Sequence, residues 1–161
     1  MPENIWLQYR DRIAGVWKCV SFELYDDSGK LLAKPHGDEP LGRVSISPGG
    51  YMSAHVSNPG RRPLPSGKAW PEGGDAEVAQ IARASGGYCG PLELFNDAQT
   101  GLWLQTMVEI SLDPSRIGKY EKRRVEFVEE GGRELMVLRP FGHLPVMGLK
   151  ANGVLKWEKL E

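Results

Sequence analysis

The sequence predicts an all-β protein, a closed antiparallel barrel of about eight strands with short N-terminal and mid-chain helices. The 20 glycines and 12 prolines among 161 residues demand many turns, and they separate short segments that alternate between apolar and polar residues. The spacing leaves no room for the long connections of a parallel sheet. A barrel is favoured over a sandwich because closure leaves no exposed sheet edge. We expect one domain over residues 1–161, a length that suits a single core.

The first half of the chain supplies a helix, a long strand, a hairpin and a second helix. Residues 3–14 are predicted to be helical, because apolar side chains recur every four residues from Ile5 to Ile13. A strand over 15–25 then ends at an Asp-Asp-Ser-Gly turn. The remaining predictions are a hairpin over 41–57, a Pro- and Gly-rich loop over 58–74, and a helix over 75–84 with Asp75 as its N-cap.

The second half of the chain is predicted to consist of strands joined by turns. The predicted strands are 87–95, 101–112, 118–129, 133–139 and 153–159, with a broken loop over 140–150 before the last of them. We expect Trp17 and Trp157 to pack near one another, where the first and last strands close the barrel.

Charge and composition exclude several classes of partner. The chain has 20 Lys and Arg residues against 21 Asp and Glu residues, so it lacks the basic excess of a nucleic-acid binder or a membrane-surface sensor. No apolar run approaches the length of a membrane span. The first residues lack the apolar stretch of a secretion signal, so we expect a cytoplasmic protein. Cys19 and Cys89 are expected to be two thiols rather than a disulfide scaffold.

The first strand offers two alternative faces to the barrel interior. One face carries Trp17, Ser21 and Glu23, and it changes from aromatic to polar along the strand as the lining of a ligand cavity does. The other face, with Phe22 and Leu24, is mostly apolar and could equally be core. If Glu23 faces an apolar cavity, burial raises its pKa and makes it a candidate general acid or base. A carboxylate at the rim or in a structural ion pair is an equal alternative.

Two arginines and a tyrosine are predicted to act together with Glu23. Arg123 stands among apolar neighbours on one face of its strand, so it needs a carboxylate partner or an anionic ligand. Arg43 is a second candidate partner for Glu23. Tyr88 is expected to donate a hydrogen bond to a bound molecule.

Further polar and aromatic residues are candidates for binding a substrate. His55 shares a strand face with Tyr51 and Ser53, although an ordinary surface or core histidine is favoured there. His143 lies in the 140–150 loop, where lids commonly occur, although a loop histidine exposed to solvent is again favoured. The other candidates are Trp103, Gln105, Met107 and Phe127. No metal site is expected, because the histidines lack paired ligand spacing and the His36-Gly37-Asp38-Glu39 segment fits a solvated turn.

Short segments follow one another in an informative order: Gly15-Val16-Trp17, Ser21-Phe22-Glu23, Gly42-Arg43, Gly50-Tyr51-Met52-Ser53-Ala54, Tyr88-Cys89-Gly90, Pro114 with Gly118 and Arg123, and Leu155-Lys156-Trp157-Glu158. Together they resemble the lipocalin-like domain family of small calycin-type barrels, over most of the chain. The resemblance implies a barrel with a central cavity. Members are frequent in fungal secondary-metabolite pathways, where some act as cyclases or isomerases. This chain departs from relatives at Gln105-Thr106-Met107, where they often carry His.

The leading functional hypothesis is a cofactor-free cyclase, isomerase or dehydratase acting on a hydrophobic polyketide- or terpenoid-type intermediate. Glu23 would move a proton, Arg43 or Arg123 would polarise an oxygen, and Tyr88 would donate a hydrogen bond. The alternative is a non-catalytic carrier of a lipophilic small molecule, because the same cavity would serve it. Neither hypothesis involves a nucleic acid, a membrane, a metal or a cofactor, and homodimerisation is left open.

Overall fold

In the computed structural model, which describes residues 2–57, 63–146 and 148–161, eight antiparallel strands close into a barrel. The strands of the sheet are β1 (Gly15–Tyr25), β2 (Leu31–Ala33), β3 (Leu41–Ile46), β4 (Tyr51–Ser57), β5 (Gly86–Asp97), β6 (Gly101–Met107), β7 (Ile110–Ser111), β8 (Tyr120–Glu130), β9 (Arg133–Pro140), β10 (Leu144–Val146) and β11 (Leu149–Lys159). The barrel runs in the order β1, β3, β4, β5, β6, β8, β9, β11 and back to β1. The predicted fold class is confirmed.

The barrel closes where β1 pairs with β11. Cys19 lies opposite Trp157, and Trp17 lies opposite Lys159. Trp17 and Trp157 are both buried in the same hydrophobic cluster of the barrel interior, as the sequence predicts. The indole Nε1 of Trp17 donates to the carbonyl oxygen of Ile13 at 2.8 Å, which ties the start of β1 to the preceding helix.

Helix α1 (Trp6–Ile13) closes one end of the barrel. It is shorter than the predicted 3–14, but its buried residues, Trp6 and Ile13, enter the core as the apolar spacing predicts. The segment before it is fixed to β5, because the Ile5 backbone N–H donates to the Leu94 carbonyl at 2.8 Å. The Trp6 indole donates to the Pro48 carbonyl, also at 2.8 Å. The α1 end is therefore filled with side chains.

Helix α2 (Asp75–Arg83) lies near the other end of the barrel, and it ends one residue before the predicted 75–84. Gly74, not Asp75, is the N-cap, because the Glu77 carboxylate reaches back and accepts from the Gly74 N–H at 3.0 Å. Of the predicted loop 58–74, residues 58–62 lie outside the described residues, and Trp70–Glu72 forms a 3₁₀ turn. Neither described helix has the length and apolarity that crossing a membrane requires.

Three strand predictions differ from the structure. The predicted strand 101–112 is interrupted after β6, and β7 pairs with β5 instead of continuing the ladder with β8. At this interruption the chain passes close to Gly90, where a side chain would clash with the Met107 carbonyl oxygen. The predicted loop 140–150 contains β10 and the first residues of β11, and the short β2 was not predicted.

A tight contact beside the closure predicts the effect of one substitution. A Cβ on Gly42 would lie 2.9 Å from Cys19 Cβ and 3.4 Å from the Trp157 ring. We expect Gly42→Ala to lower the free energy of unfolding by about 1–3 kcal/mol, because neither neighbour is the free end of a flexible chain. Urea denaturation measures this as a lower midpoint with an unchanged slope.

Gly86→Ala is the matched control, because a Cβ at Gly86 meets nothing within 4 Å. This variant should stay within about 0.5 kcal/mol of the wild type. Equal midpoints for the two variants would contradict the close packing at Gly42.

Candidate functional site

The end of the barrel away from α1 holds a cavity of about 510 Å³. Apolar side chains make most of its wall, among them Phe22, Val44, Met52, Leu138, Leu155 and Trp157. Residues 83–85, at the end of α2, and Pro35 and His36, after β2, also line it. Its volume and its apolar wall with a few polar groups are those of a small-molecule site.

Two arginines and a glutamate form an ion-pair cluster in the cavity wall. Glu121 and Arg123 lie two residues apart on β8, so both side chains point to the inner face. Arg116 comes from the 3₁₀ turn before β8, where Asp113 accepts from the Ser115 N–H at 3.0 Å. Arg116 Nε donates to Glu121 Oε1 at 2.7 Å, and Arg123 Nη1 donates to Glu121 Oε2 at 3.1 Å. We call Arg116, Glu121 and Arg123 the ionic cluster.

Tyr88 on β5 joins the ionic cluster through its ring. The guanidinium carbon of Arg116 lies 4.3 Å from the centre of the Tyr88 ring, a cation–π contact. The contact holds Arg116 against the wall and leaves the Tyr88 side chain among the cavity residues. A phenol O–H and two guanidinium groups therefore belong to one cavity lining.

The charges of the ionic cluster are fixed at neutral pH. Burial alone would raise the pKa of Glu121, but the hydrogen bond from Arg116 and the charges of Arg123 and Arg116 outweigh it, so the pKa lies below its usual range. Glu121 is therefore a carboxylate at pH 7 and does not serve as a proton donor there. Its role in the cavity is electrostatic.

His36 also lines the cavity, but unlike Glu121 it is uncharged at neutral pH. Burial lowers its pKa, and a hydrogen bond with the Ser57 backbone opposes this only in part, so the imidazole is neutral at pH 7. Its ring lies 5.6 Å from the Phe22 ring, and its buried Nδ1 atom has no hydrogen-bond partner among the described residues. The sequence suggested a solvated turn here. The Lys34–Asp38 ion pair of 2.9 Å is on the surface, whereas Pro35 and His36 face the cavity.

Of the predicted catalytic residues, Arg123 and Tyr88 line the cavity and Glu23 does not. The cause is a β-bulge in β1: Cys19 lies opposite Trp157 but Ser21 lies opposite Lys156, so Val20 is an extra residue. Before the bulge the odd-numbered residues of β1 point inward, and after it the even-numbered residues do. Phe22 therefore lines the cavity, and Leu24 is buried. The expected inward orientation of Ser21 and Glu23 is corrected by this register shift.

Glu23 lies on the outer face of β1 and contacts Tyr25, the next residue of the same face. Glu23 hydrogen-bonds with Tyr25. The pKa of Tyr25 is raised, first by burial and then by the negative charge of Glu23 and this hydrogen bond. Arg43 also points away from the cavity, and its Nη1 donates to the Gly42 carbonyl at 2.9 Å. The predicted pairing of Glu23 with Arg43 or Arg123 is absent from the described residues, and Glu121 is the carboxylate that binds Arg123.

The predicted β4 residues lie on the outer face because Met52, Ala54 and Val56 take the inner one. The Tyr51 hydroxyl donates to Glu109 Oε2 at 2.7 Å and lies 3.5 Å from Cys89 Sγ, and these two contacts raise its pKa. Ser53 and His55 border a separate shallow groove of about 230 Å³ beside β7.

The predicted β6 residues also miss the cavity. Trp103, Gln105 and Met107 alternate with Leu104 and Thr106, which are buried in the interior. Trp103 Nε1 donates to Asp97 Oδ2 at 2.8 Å, and Gln105 Nε2 donates to Glu93 Oε1 at 3.0 Å. Sequence alternation identified the two faces correctly but did not tell which one is inside.

The last two candidates lie at opposite ends of the barrel. Phe127 packs against the core near α1, where the Arg12 guanidinium carbon is 3.7 Å from its ring centre. His143 hydrogen-bonds to Asp27 at 2.8 Å near the cavity mouth, and the neighbouring Leu144 lines the cavity instead.

Arg83, Arg116, Glu121 and His36 are cavity residues that the sequence analysis did not select. Glu121 carried a usable signal, because it shares a strand face with Arg123. The others reach the cavity from a helix end, a turn and a loop, where no periodic pattern shows direction. Among the described residues, no three of His, Cys, Asp and Glu lie close enough together to hold a metal ion.

A closed barrel that is plugged at one end and hollow at the other defines a class of small-molecule-binding folds. The family model described as a lipocalin-like domain matches residues 14–160, so the chain belongs to the lipocalin-like domain family. The resemblance inferred from the sequence is confirmed, and this barrel fold suggests ligand binding. A comparison with curated proteins gives no match.

The ionic cluster predicts how stability depends on pH. Folding lowers the pKa of Glu121, so its contribution is present above the unfolded-state value of about 4.3 and is lost as the pH falls through the lower folded value. We expect Glu121→Gln to lower the free energy of unfolding at pH 7 by about 1.5–3 kcal/mol and to flatten its decline below about pH 4.5. Urea denaturation at a series of pH values measures both effects.

Glu126→Gln is the control, because Glu126 lies on the same strand and forms an exposed ion pair with Arg139. Exposed pairs contribute about 0–1 kcal/mol, so this variant should follow the wild-type pH profile closely. Equal losses in both variants at pH 7 would show that the cluster is no more stabilising than a surface pair.

Proposed function

We propose that the protein is a cofactor-free isomerase, cyclase or dehydratase that acts on a hydrophobic polyketide- or terpenoid-type intermediate held in the cavity. One observation carries the proposal: a neutral imidazole and a fixed guanidinium line the same cavity, whose remaining wall is mostly apolar. A neutral base and a cation in a water-poor site are the groups that proton transfer next to a carbonyl requires.

In this proposal each polar group has one role. Arg123 polarises a carbonyl oxygen of the substrate and stabilises the negative charge that develops there. Tyr88 donates a hydrogen bond to the same oxygen region, and Glu121 holds both arginines in place. His36 takes the role first given to Glu23, because its unprotonated nitrogen accepts a proton from carbon. For this step a rotation of the ring brings the Nδ1 atom, which is buried and has no partner among the described residues, into the cavity.

The apolar wall contributes by orientation and by excluding water. A flexible substrate that is folded against fixed walls loses the freedom that opposes ring closure, an effect that reaches about 7–11 kcal/mol in favourable cases. Water exclusion strengthens the interaction between Arg123 and the developing charge. Both effects need an enclosed cavity with few polar groups.

A non-catalytic carrier is the second candidate, and the ionic cluster favours it. The two arginines, held by a carboxylate that stays ionised, can bind an oxygen-bearing ligand without any change of protonation in the cluster. The proposal includes a cytoplasmic location, which the two free thiols of Cys19 and Cys89 support. The proposal leaves homodimerisation open.

Base-catalysed ring opening of 5-nitrobenzisoxazole tests the enzyme proposal without knowledge of the natural substrate. A base removes the C–H proton of this neutral probe, the N–O bond breaks, and its electron pair leaves on a coloured nitrophenolate oxygen. We expect the wild type to exceed free imidazole at equal concentration, and His36→Gln to lose roughly 10²-fold in rate. The rate should fall only at a pH below about 6.5, because burial lowers the pKa of His36.

His55→Gln is the matched control, because His55 lies outside the cavity. It should keep the wild-type rate, and circular dichroism should show that both variants fold. A wild-type rate no higher than that of free imidazole, or equal rates for the two variants, would overturn the catalytic role and leave the carrier.

A further inference from the structure

The described residues that line the cavity carry a surplus of positive charge. Arg83, Arg116 and Arg123 stand against a single carboxylate, Glu121, and His36 is neutral. The chain as a whole has a formal net charge of −1, so this surplus is local. A local surplus in a mostly apolar hollow favours a negatively charged occupant.

Glu121 satisfies only part of the hydrogen-bonding capacity of its two arginines. Arg116 uses its Nε–H on Glu121, and Arg123 uses Nη1 on Glu121 and on the Lys122 carbonyl. Each guanidinium has five N–H donors, so most of these donors have no protein partner within the described part of the chain. The side chain of Arg123 is only 16% exposed, so water solvates its remaining donors poorly.

We propose that the cavity binds an apolar organic acid, ionised at neutral pH, whose acidic oxygens contact Arg116 and Arg123 while its body packs on Phe22 and Leu155. Carboxylate oxygens match the planar N–H pairs of a guanidinium in spacing and charge. Arg83, which is exposed at the end of α2, adds positive charge where a ligand enters. This inference rests on the proposed use of the cavity as the ligand site, and it names the class of ligand.

Glu121 has an opposing effect on the same ligand. It keeps two nearby cations stable when no ligand is bound, and it repels an acidic group that approaches them. Removing its charge while keeping its shape should therefore strengthen binding of an acid. A site built for a cationic ligand would respond in the opposite direction, because Glu121 would then be the binding group.

Two fluorescent probes with one skeleton test the charge preference. 8-Anilinonaphthalene-1-sulfonate carries an acidic group, and N-phenyl-1-naphthylamine is the same molecule without it. We expect Arg123→Gln to weaken sulfonate binding by roughly tenfold or more, with a change of less than about twofold for the neutral probe. Glu121→Gln should tighten sulfonate binding severalfold. Decanoate should displace the sulfonate at a far lower concentration than decanamide does.

Arg124→Gln is the matched control, because Arg124 is the next residue of β8 and stacks on Phe141 outside the cavity. It should leave both affinities unchanged. If Arg123→Gln does not fold, Arg116→Gln removes the other cation and should weaken sulfonate binding in the same way.

The outcomes separate this inference from the proposed function. Binding of the neutral probe with no gain from the sulfonate, or weaker sulfonate binding in Glu121→Gln, would overturn the acid preference and leave the cavity as a ligand site. Binding of neither probe would overturn both. Equal loss in Arg123→Gln and Arg124→Gln would show that the sulfonate binds a basic outer surface instead.

Discussion

The pairing of β1 with β11, with one extra residue in β1, is the constraint on which the interior depends. The pairing closes the barrel, and the bulge at Val20 decides which side chains of β1 face inward on each side of it. Trp17 and Cys19 complete the packed core below the bulge, and Phe22 lines the cavity above it. Without the extra residue, Ser21 and Glu23 would face the cavity and place a second carboxylate beside the arginines that line it.

The regular parts of this architecture could be predicted from local patterns. Strand alternation and glycine-rich turns gave the barrel, and the spacing of Ile5, Tyr9 and Ile13 gave the helix that plugs it. The same alternation placed Arg123 on the face that lines the cavity, because β8 runs without a bulge. Each of these features depends on repeated side-chain spacing, which a sequence displays directly.

The remaining parts of the site depend on contacts between residues distant in sequence. The extra residue at Val20 reverses which side chains of β1 point inward beyond it. The alternation of apolar residues along the strand does not reveal this reversal. On β4 the face of Met52, Ala54 and Val56 is the apolar one and lines the cavity, so the expectation that polar groups mark the lining misplaced Tyr51. On β6 both faces carry large apolar residues, so the inner one was not recognisable for Trp103. His36 and Arg116 enter the cavity from irregular segments, whose direction is set by the barrel mouth they pack against.

The ionic cluster joins the stability of the fold to its recognition chemistry. Two guanidiniums in a mostly apolar cavity would repel each other and lose hydration, and Glu121 offsets both costs by binding one nitrogen of each. A second carboxylate from the protein would complete the neutralisation and leave nothing for a ligand. Because the protein supplies only one, the cluster is stable while empty and still has unused donors, and an acidic ligand completes the same set of interactions that holds β8 to the preceding turn.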